Sequence, residues 1–195
     1  HPRWLSDWSS DVCSSDLDNM PALKAELEIF EQEMLGQFRS HKGIHSYLDK
    51  LSVDLINSGG KRLRPAMAIA SAMMGEYQRE KVISTAISIE LLHTATLVHD
   101  DIIDNSPLRR SLPTVFAREG VNTAVFAGDY LYVKSILALA SAGLPMDYMK
   151  QLAKAIEEVC VGEVEQFRGR GKVPGFKTYL SRISRKTAAL FAASC

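Results

Sequence analysis

Three aspartates fall within five positions, Asp100-Asp101-Ile102-Ile103-Asp104, directly after an apolar run that ends Leu97-Val98-His99. Asp100 and Asp104 are four apart, so a helix projects both from one face. Like charges at that spacing cost a bare helix about 0.2–0.5 kcal/mol. A surface that needed only solubility would alternate signs. Three carboxylates gathered on one face suit a hard divalent cation, which neutralises them. Oxygen-only donors favour Mg²⁺, or Mn²⁺, over Zn²⁺. Two carboxylates plus substrate phosphates is the common Mg²⁺ arrangement. The plain alternative is a solvated acidic helix end, and a short string of this kind recurs by chance.

A second group is cationic: Gly59-Gly60-Lys61-Arg62-Leu63-Arg64-Pro65. Two glycines let a backbone approach a ligand closely. Lys61, Arg62 and Arg64 then crowd the start of a helix, where the free N–H groups already favour an anion. Cations there oppose the helix dipole, and a bound phosphate would offset that. Arg109-Arg110 follow Asp104 by five and six residues. Guanidinium groups grip phosphate oxygens in pairs, although ion pairing to the nearby aspartates is an equally simple use. His93 lies seven residues before Asp100, on nearly the same helix face, with Thr96 between them. A lone histidine is more often a satisfied core residue than a ligand. Glu163 and Gln166 share a face at i, i+3, and Lys186-Thr187 pairs a cation with a hydroxyl. Surface charge is the default reading of both. Taken together, acidic metal ligands, cationic clusters and an apolar helical body describe a diphosphate site above a greasy pocket.

These groups need helices to carry them. From Pro21 onward the pattern reads all-α, with no strand alternation. Leu23, Leu27, Phe30, Met34, Leu35 and Phe38 keep helical spacing over 22–38. Gly43 interrupts, and 44–56 resumes. Pro65 opens a short apolar helix over 67–74. Residues 81–104 form one long helix ended by Ser106-Pro107. A short element over 113–120 leads into 122–142, apolar on most sides and so expected at the centre. Residues 147–166 are amphipathic, 168–175 form a loop, and a last helix from 179 runs to Cys195 with no stop signal. That ending predicts an N-terminal part of a longer single domain, covering 20–195. Residues 1–19 are rich in Ser and Asp, lack periodicity, and read as a non-native or disordered tail.

Bulk composition removes other classes. The 195 residues carry 23 Lys+Arg against 23 Asp+Glu, a net charge of zero, so no nucleic-acid partner or anionic membrane surface is expected. Hydrophobic residues are 46%, ample for a core. Cys13, Cys160 and Cys195 lack metal spacing, which points to a reducing, cytoplasmic compartment. No unbroken apolar stretch reaches the length of a membrane span, so no transmembrane segment is expected.

Five segments in order, GGKRLRP (59–65), ELLHTATLVHDDIIDNSPLRR (90–110), AGDYL (127–131), GEVEQ (162–166) and RKTAALF (185–191), resemble the trans-type polyprenyl diphosphate synthases, the farnesyl and geranylgeranyl diphosphate synthase family. The resemblance runs from about residue 22 to the end. It implies an antiparallel helix bundle around a deep cavity, a homodimer or heterodimer, and head-to-tail condensation of an allylic diphosphate with isopentenyl diphosphate. By that resemblance, Asp100 and Asp104, with Asp101 in support, form the metal set that holds Mg²⁺ at the allylic diphosphate, and Arg109 contacts that diphosphate. Lys61, Arg64, His93 and Arg110 match the isopentenyl diphosphate site. Lys186 and Thr187 match a pair beside the allylic substrate, with Glu163 and Gln166 as a polar patch supporting them. Ala95 and Thr96 occupy chain-length positions. Both are small, which implies geranylgeranyl or longer products, and Ala95→Phe is expected to shorten them. Ser111 stands where the family carries glycine. The family's second aspartate-rich motif lies beyond Cys195, so these residues alone are expected to be inactive. A terpene cyclase shares the fold but needs no second diphosphate site. A regulatory subunit of a heteromeric synthase need not keep metal ligands. A helical scaffold with chance motifs is the blandest alternative.

Overall fold

The computed structural model describes residues 20–39, 42–171 and 173–195. The tail expected over 1–19 lies outside the described residues. Helices dominate: α1 (Pro21–Gly36), α2 (Ile44–Asn57), α3 (Leu63–Ala72), α4 (Arg79–Ile103), α5 (Val115–Ser141), α6 (Met146–Arg168), α7 (Phe176–Ile183) and α8 (Ala189–Ser194). A π-helical turn, Ser184–Ala188, joins α7 to α8.

Pro21 opens α1, where its missing N–H costs nothing. Leu23, Leu27, Phe30 and Met34 bury the stripe that their spacing predicts. Off that stripe, buried Glu26 accepts the Tyr77 hydroxyl at 2.7 Å and a two-pronged contact from Arg79. The Arg79 guanidinium holds the Glu26 carboxyl below its ordinary range, and the pair ties α1 to the start of α4.

The order of burial differs from the sequence expectation. α4 is the central helix: Ile83, Ile87, Ile89, Leu91 and Leu92 are buried on several sides of it. α5 packs along α4 on one side only. Its other side leaves Val121, Phe126, Val133, Ile136 and Leu137 exposed. Composition alone could not separate a helix buried all round from one whose second apolar face is uncovered. Both helices are also long and apolar enough to cross a membrane by length and composition, contrary to the expectation from unbroken runs. Isolated polar residues such as Ser88, Glu90 and His93 break each run, while the Ile, Leu, Val and Ala around them keep the average apolar. In α4, 61% of the apolar window is buried inside the protein, which a core helix explains; in α5 the share is 39%.

The AGDYL segment is the joint between these helices. Ala127 and Leu131 are in the core. A Cβ at Gly128 would lie 2.2 Å from Nε2 of His99, so only glycine admits the ring. Asp129 faces the same His99 nitrogen at 3.4 Å. The Tyr130 hydroxyl donates to Asp49 of α2 at 2.7 Å. Gly120, at φ 83°, breaks α5 where the sequence places a boundary.

Between α4 and α5 the chain forms a hairpin that the sequence did not announce. Strand β1 (Leu108–Arg109) pairs with β2 (Leu112–Pro113), Leu108 opposite Pro113 and Arg109 opposite Leu112. Thr114 closes its base. It donates to the Ser106 carbonyl at 2.8 Å and caps α5 by accepting from the Ala117 amide at 3.1 Å. Arg110 and Ser111 at the tip have φ of 51° and 66°. Two positive φ values are what a two-residue hairpin turn demands, and glycine suits the second position. Ser111 carries a Cβ there at a cost. Ser111→Gly is expected to stabilise the protein by about 0.5–1 kcal/mol, read as a higher urea midpoint at an unchanged slope.

Candidate active site

The last turn of α4 carries the acidic side of the site. Asp100 and Asp104 emerge on one face, as the four-residue spacing requires. Asp100 is largely buried, and burial pushes its carboxyl above the ordinary range. The neighbouring Glu163 carboxylate pushes the same way, and Lys186 only partly offsets both. Lys186 Nζ sits 2.8 Å from Glu163 and 3.7 Å from Asp100 Oδ2. Asp104 is half-exposed and pairs with Arg170.

Asp101 does not join them. One residue along a helix is about 100° of rotation, and Asp101 turns into the protein. It is buried and takes a two-pronged contact from Arg109, with Nε at 2.9 Å and Nη2 at 2.8 Å from Oδ1. The three-carboxylate set expected from sequence is therefore a set of two, with Asp101 orienting Arg109. Among the described residues no group of three His, Cys, Asp or Glu side chains is placed to hold a metal. Two half-compensated carboxylates on one face still fit an ion that takes few protein ligands and completes its shell with water and diphosphate oxygens.

The basic side is an open cleft of about 910 Å³ lined by Gly59, Lys61, Arg64, His93, Arg109 and Arg110, with α1 along one wall. Gly59 has φ 91°, and the Arg110 guanidinium reaches within 3.3 Å of where a Gly60 Cβ would stand. The two glycines thus make room for Arg110, which the hairpin tip delivers. Arg62 is not available to a ligand. Its left-handed backbone starts α3, while its guanidinium donates to Glu90 at 2.8 Å and to the Ile56 carbonyl at 2.7 Å. Among the described residues, Lys61, Arg64 and Arg110 have no such partner within 4 Å. Arg64 stacks on Phe191 at 4.4 Å, and its Nε is buried without a hydrogen bond. Burial pushes its guanidinium down.

His93 stands among these cations. Burial, then Arg64, Arg110, Arg109 and Arg62, lower its pKa to about 4. At neutral pH it is a neutral hydrogen-bonding group. Its unfolded value is near 6.5, so between pH 6.5 and 4 the unfolded chain binds more protons than the folded one. Stability therefore falls as pH drops through that window, by at most on the order of 3 kcal/mol. His93→Gln is expected to flatten that part of a melting-temperature profile between pH 4.5 and 7.

Other expected residues are less engaged. Gln166 is half-buried and Thr187 exposed. Thr96 is half-buried, its hydroxyl donating to the His93 carbonyl at 2.7 Å. Ala95 is 2% exposed, inside the cluster with Leu91 and Val98.

Several contributors were not singled out from sequence. Glu90, three residues before His93, is buried and neutralises Arg62. Arg185 reaches Glu165 at 2.6 Å and Glu158 at 3.1 Å, fastening the π turn to α6. Gly162 permits that approach, since a Cβ there would lie 3.1 Å from the Lys186 amide nitrogen. A π turn inserts an extra residue into a helix and often marks a site. Here it carries Lys186 to Glu163. The only sequence signal was the GEVEQ glycine.

Comparison with known proteins agrees with this geometry. A polyprenyl synthetase family model matches residues 45–195. Heptaprenyl diphosphate synthase component 2 of Geobacillus stearothermophilus is 40% identical over 179 residues, covering 91% of this chain and 52% of that protein. The protein of the same name from Bacillus subtilis (strain 168) is 34% identical over 193 residues, covering 98% and 53%. The crystal structure of heptaprenyl diphosphate synthase from Staphylococcus aureus superposes with a TM-score of 0.81 at 34% identity, over 88% of this chain and 54% of that one. A decaprenyl diphosphate synthase from Rhodobacter capsulatus gives 0.82 at 32% identity, over 89% and 53%. The chain spans about half the length of the curated relatives it matches. With the helical fold, the cation-lined cleft and the paired carboxylates already in place, these matches show that the chain belongs to the polyprenyl synthetase family.

Proposed function

We propose that the full-length protein is a prenyltransferase that condenses isopentenyl diphosphate head to tail with an allylic diphosphate. The observation that carries this reading is the trio Lys61, Arg64 and Arg110, which converge on one cleft without carboxylate partners among the described residues. Cations without carboxylate partners, one of them (Arg64) also partly desolvated, call for an anion of matching charge. Neutral His93 adds a hydrogen bond there. Across the hairpin, Arg109 is oriented by Asp101 toward the allylic diphosphate. Asp100 and Asp104 would hold Mg²⁺, or Mn²⁺, and the ion would neutralise the departing diphosphate. Lys186, held by Glu163, supplies a further positive charge beside that group. The allylic C–O bond breaks, the isopentenyl double bond attacks the resulting cation, and loss of a proton restores a double bond. The apolar helix walls keep water from the cation.

The relatives extend well past the matched portion. We assign to that remainder the second aspartate-rich motif and the other cavity wall, and infer that residues 1–195 alone are inactive. The uncovered face of α5 suits a second subunit, and the name "component 2" of two relatives favours a two-component assembly over a dimer of identical chains. The wide spacing of the cysteines accords with a cytoplasmic location. Two small residues at 95 and 96, with relatives named for heptaprenyl products, favour geranylgeranyl or longer products.

Full-length protein, with the second component if one is required, should incorporate labelled isopentenyl diphosphate into an extractable prenyl product in the presence of Mg²⁺ and an allylic diphosphate. Consumption of the allylic substrate without isopentenyl incorporation would instead indicate a cyclase. The chain-length expectation now separates into two variants. Ala95→Phe overpacks the core and should cost about 1–3 kcal/mol of stability. Thr96→Phe, at the half-buried position, is the change expected to shorten the product on chromatography.

A further inference from the structure

Arg170 plays no part in the cation cluster that lines the cleft. It sits in Gly169-Arg170-Gly171, just past the end of α6. Its guanidinium pairs with Asp104, 66 residues away at the end of α4. The same group lies 4.9 Å from the centre of the Phe167 ring. Both charged partners are 48% exposed. Gly171 takes φ 79°, a conformation that favours glycine at the turn past α6.

Lys186 and Arg170 hold the two carboxylates in different ways. Lys186 is anchored on Glu163 at 2.8 Å and reaches Asp100 only at 3.7 Å. It keeps its anchor if a cation arrives at Asp100. Among the described residues, Arg170 has Asp104 as its one carboxylate within 4 Å, and it lies against the face of Phe167. A carboxylate engaged by a guanidinium cannot offer the same oxygen to a divalent ion, and the two cations repel.

We propose that Arg170 is an internal counter-cation that latches Asp104 when no divalent ion is bound and must leave it when one binds. The latch sets the metal affinity of the site and couples the 169–171 turn to its occupancy. It rests on the reading of Asp100 and Asp104 as metal ligands. Displacing a half-exposed pair of this kind weakens a competing ligand about twofold to fivefold. Phe167 offers the released guanidinium a place to rest.

The test is Mn²⁺ titration of the full-length protein with inorganic diphosphate present, free Mn²⁺ being read by electron paramagnetic resonance. Arg170→Gln should bind Mn²⁺ about threefold to fivefold more tightly than the wild type. Arg168→Gln removes a nearby cation and should stay within about 1.5-fold, because exposed charges without a partner contribute little. Hydrogen exchange over 169–171 should quicken when Mn²⁺ is added to the wild type and not when it is added to Arg170→Gln. An Arg170→Gln affinity equal to or below the wild type overturns the latch. So does an equal gain in Arg168→Gln, which would reduce the effect to bulk charge. Asp104→Asn should bind Mn²⁺ far more weakly. If it binds like the wild type, the metal reading itself fails, and the latch with it.

Discussion

Asp100→Asn in the full-length protein should lower turnover by about 10²–10³-fold while leaving the melting temperature at pH 7 unchanged or raised. The two effects have one cause. Burial and the Glu163 carboxylate hold the Asp100 carboxyl above its ordinary range. Between its unfolded and folded values the folded chain therefore holds more protons than the unfolded chain. Stability falls as pH rises through that window, and at neutral pH the Asp100 charge is a liability to the fold. Asparagine keeps the shape and removes the charge, and Lys186 keeps Glu163 as its partner. A charge that weakens the fold is one whose use lies in binding a cation. The same change one residue later should do the reverse. Asp101 is buried against Arg109, so Asp101→Asn should lower the melting temperature, at a cost of about 1–3 kcal/mol. Calorimetry and steady-state rates on the two variants check this together. A drop in melting temperature for Asp100→Asn as large as that for Asp101→Asn would sink the distinction.

Arg64→Gln should raise the KM for isopentenyl diphosphate by about 10- to 100-fold, the worth of a charge-assisted contact, with kcat changed only a few-fold. Arg64 is partly desolvated, stacked on Phe191, and has no carboxylate within 4 Å among the described residues. Its charge is therefore available to a ligand rather than spent on the fold. After burial, its charge does most to lower the pKa of His93. The variant should raise the His93 pKa from about 4 toward 6.5, observable in the imidazole proton resonances. A kcat loss with unchanged KM would place Arg64 in the chemical step instead of in binding. An unmoved His93 would contradict the electrostatic coupling that draws the cluster together.

Much of this was legible because helices leave a period. Leu23, Leu27, Phe30 and Met34 announce α1, and all four are buried. The GGKRLRP and DDIID strings mark two sides of the site because their charges are locally unfavourable without a ligand. What stayed hidden has no period or depends on long-range partners. A strand of two residues such as Leu108–Arg109 cannot show alternation. Asp101 and Asp100 look alike in sequence, and only the burial of one turn of α4 separates their roles. Arg62 looks like its neighbour Arg64 until Glu90 is seen beside it. The ranking of α4 over α5 as the central helix depends on which apolar faces find a neighbour, and both helices have such faces on several sides. Arg170 is visible in sequence only as a charge in a glycine-rich loop.

The hairpin carries a consequence for how this protein can vary. Arg109 and Arg110 are neighbours in the chain, with Cα atoms about 3.8 Å apart. One answers to Asp101 and the other to the Gly59-Gly60 corner. Their assignment depends on parity: the tip must fall between Arg110 and Ser111, with both ends pinned, at Ser106 and at Thr114. Adding or deleting one residue in that span would hand each guanidinium to the wrong neighbour, whatever the inserted residue is. Side chains at Leu108 and Leu112, both exposed, can drift freely. The number of residues between Ser106 and Thr114 cannot. A mutational library over this segment should therefore be rich in tolerated substitutions and empty of single-residue insertions and deletions.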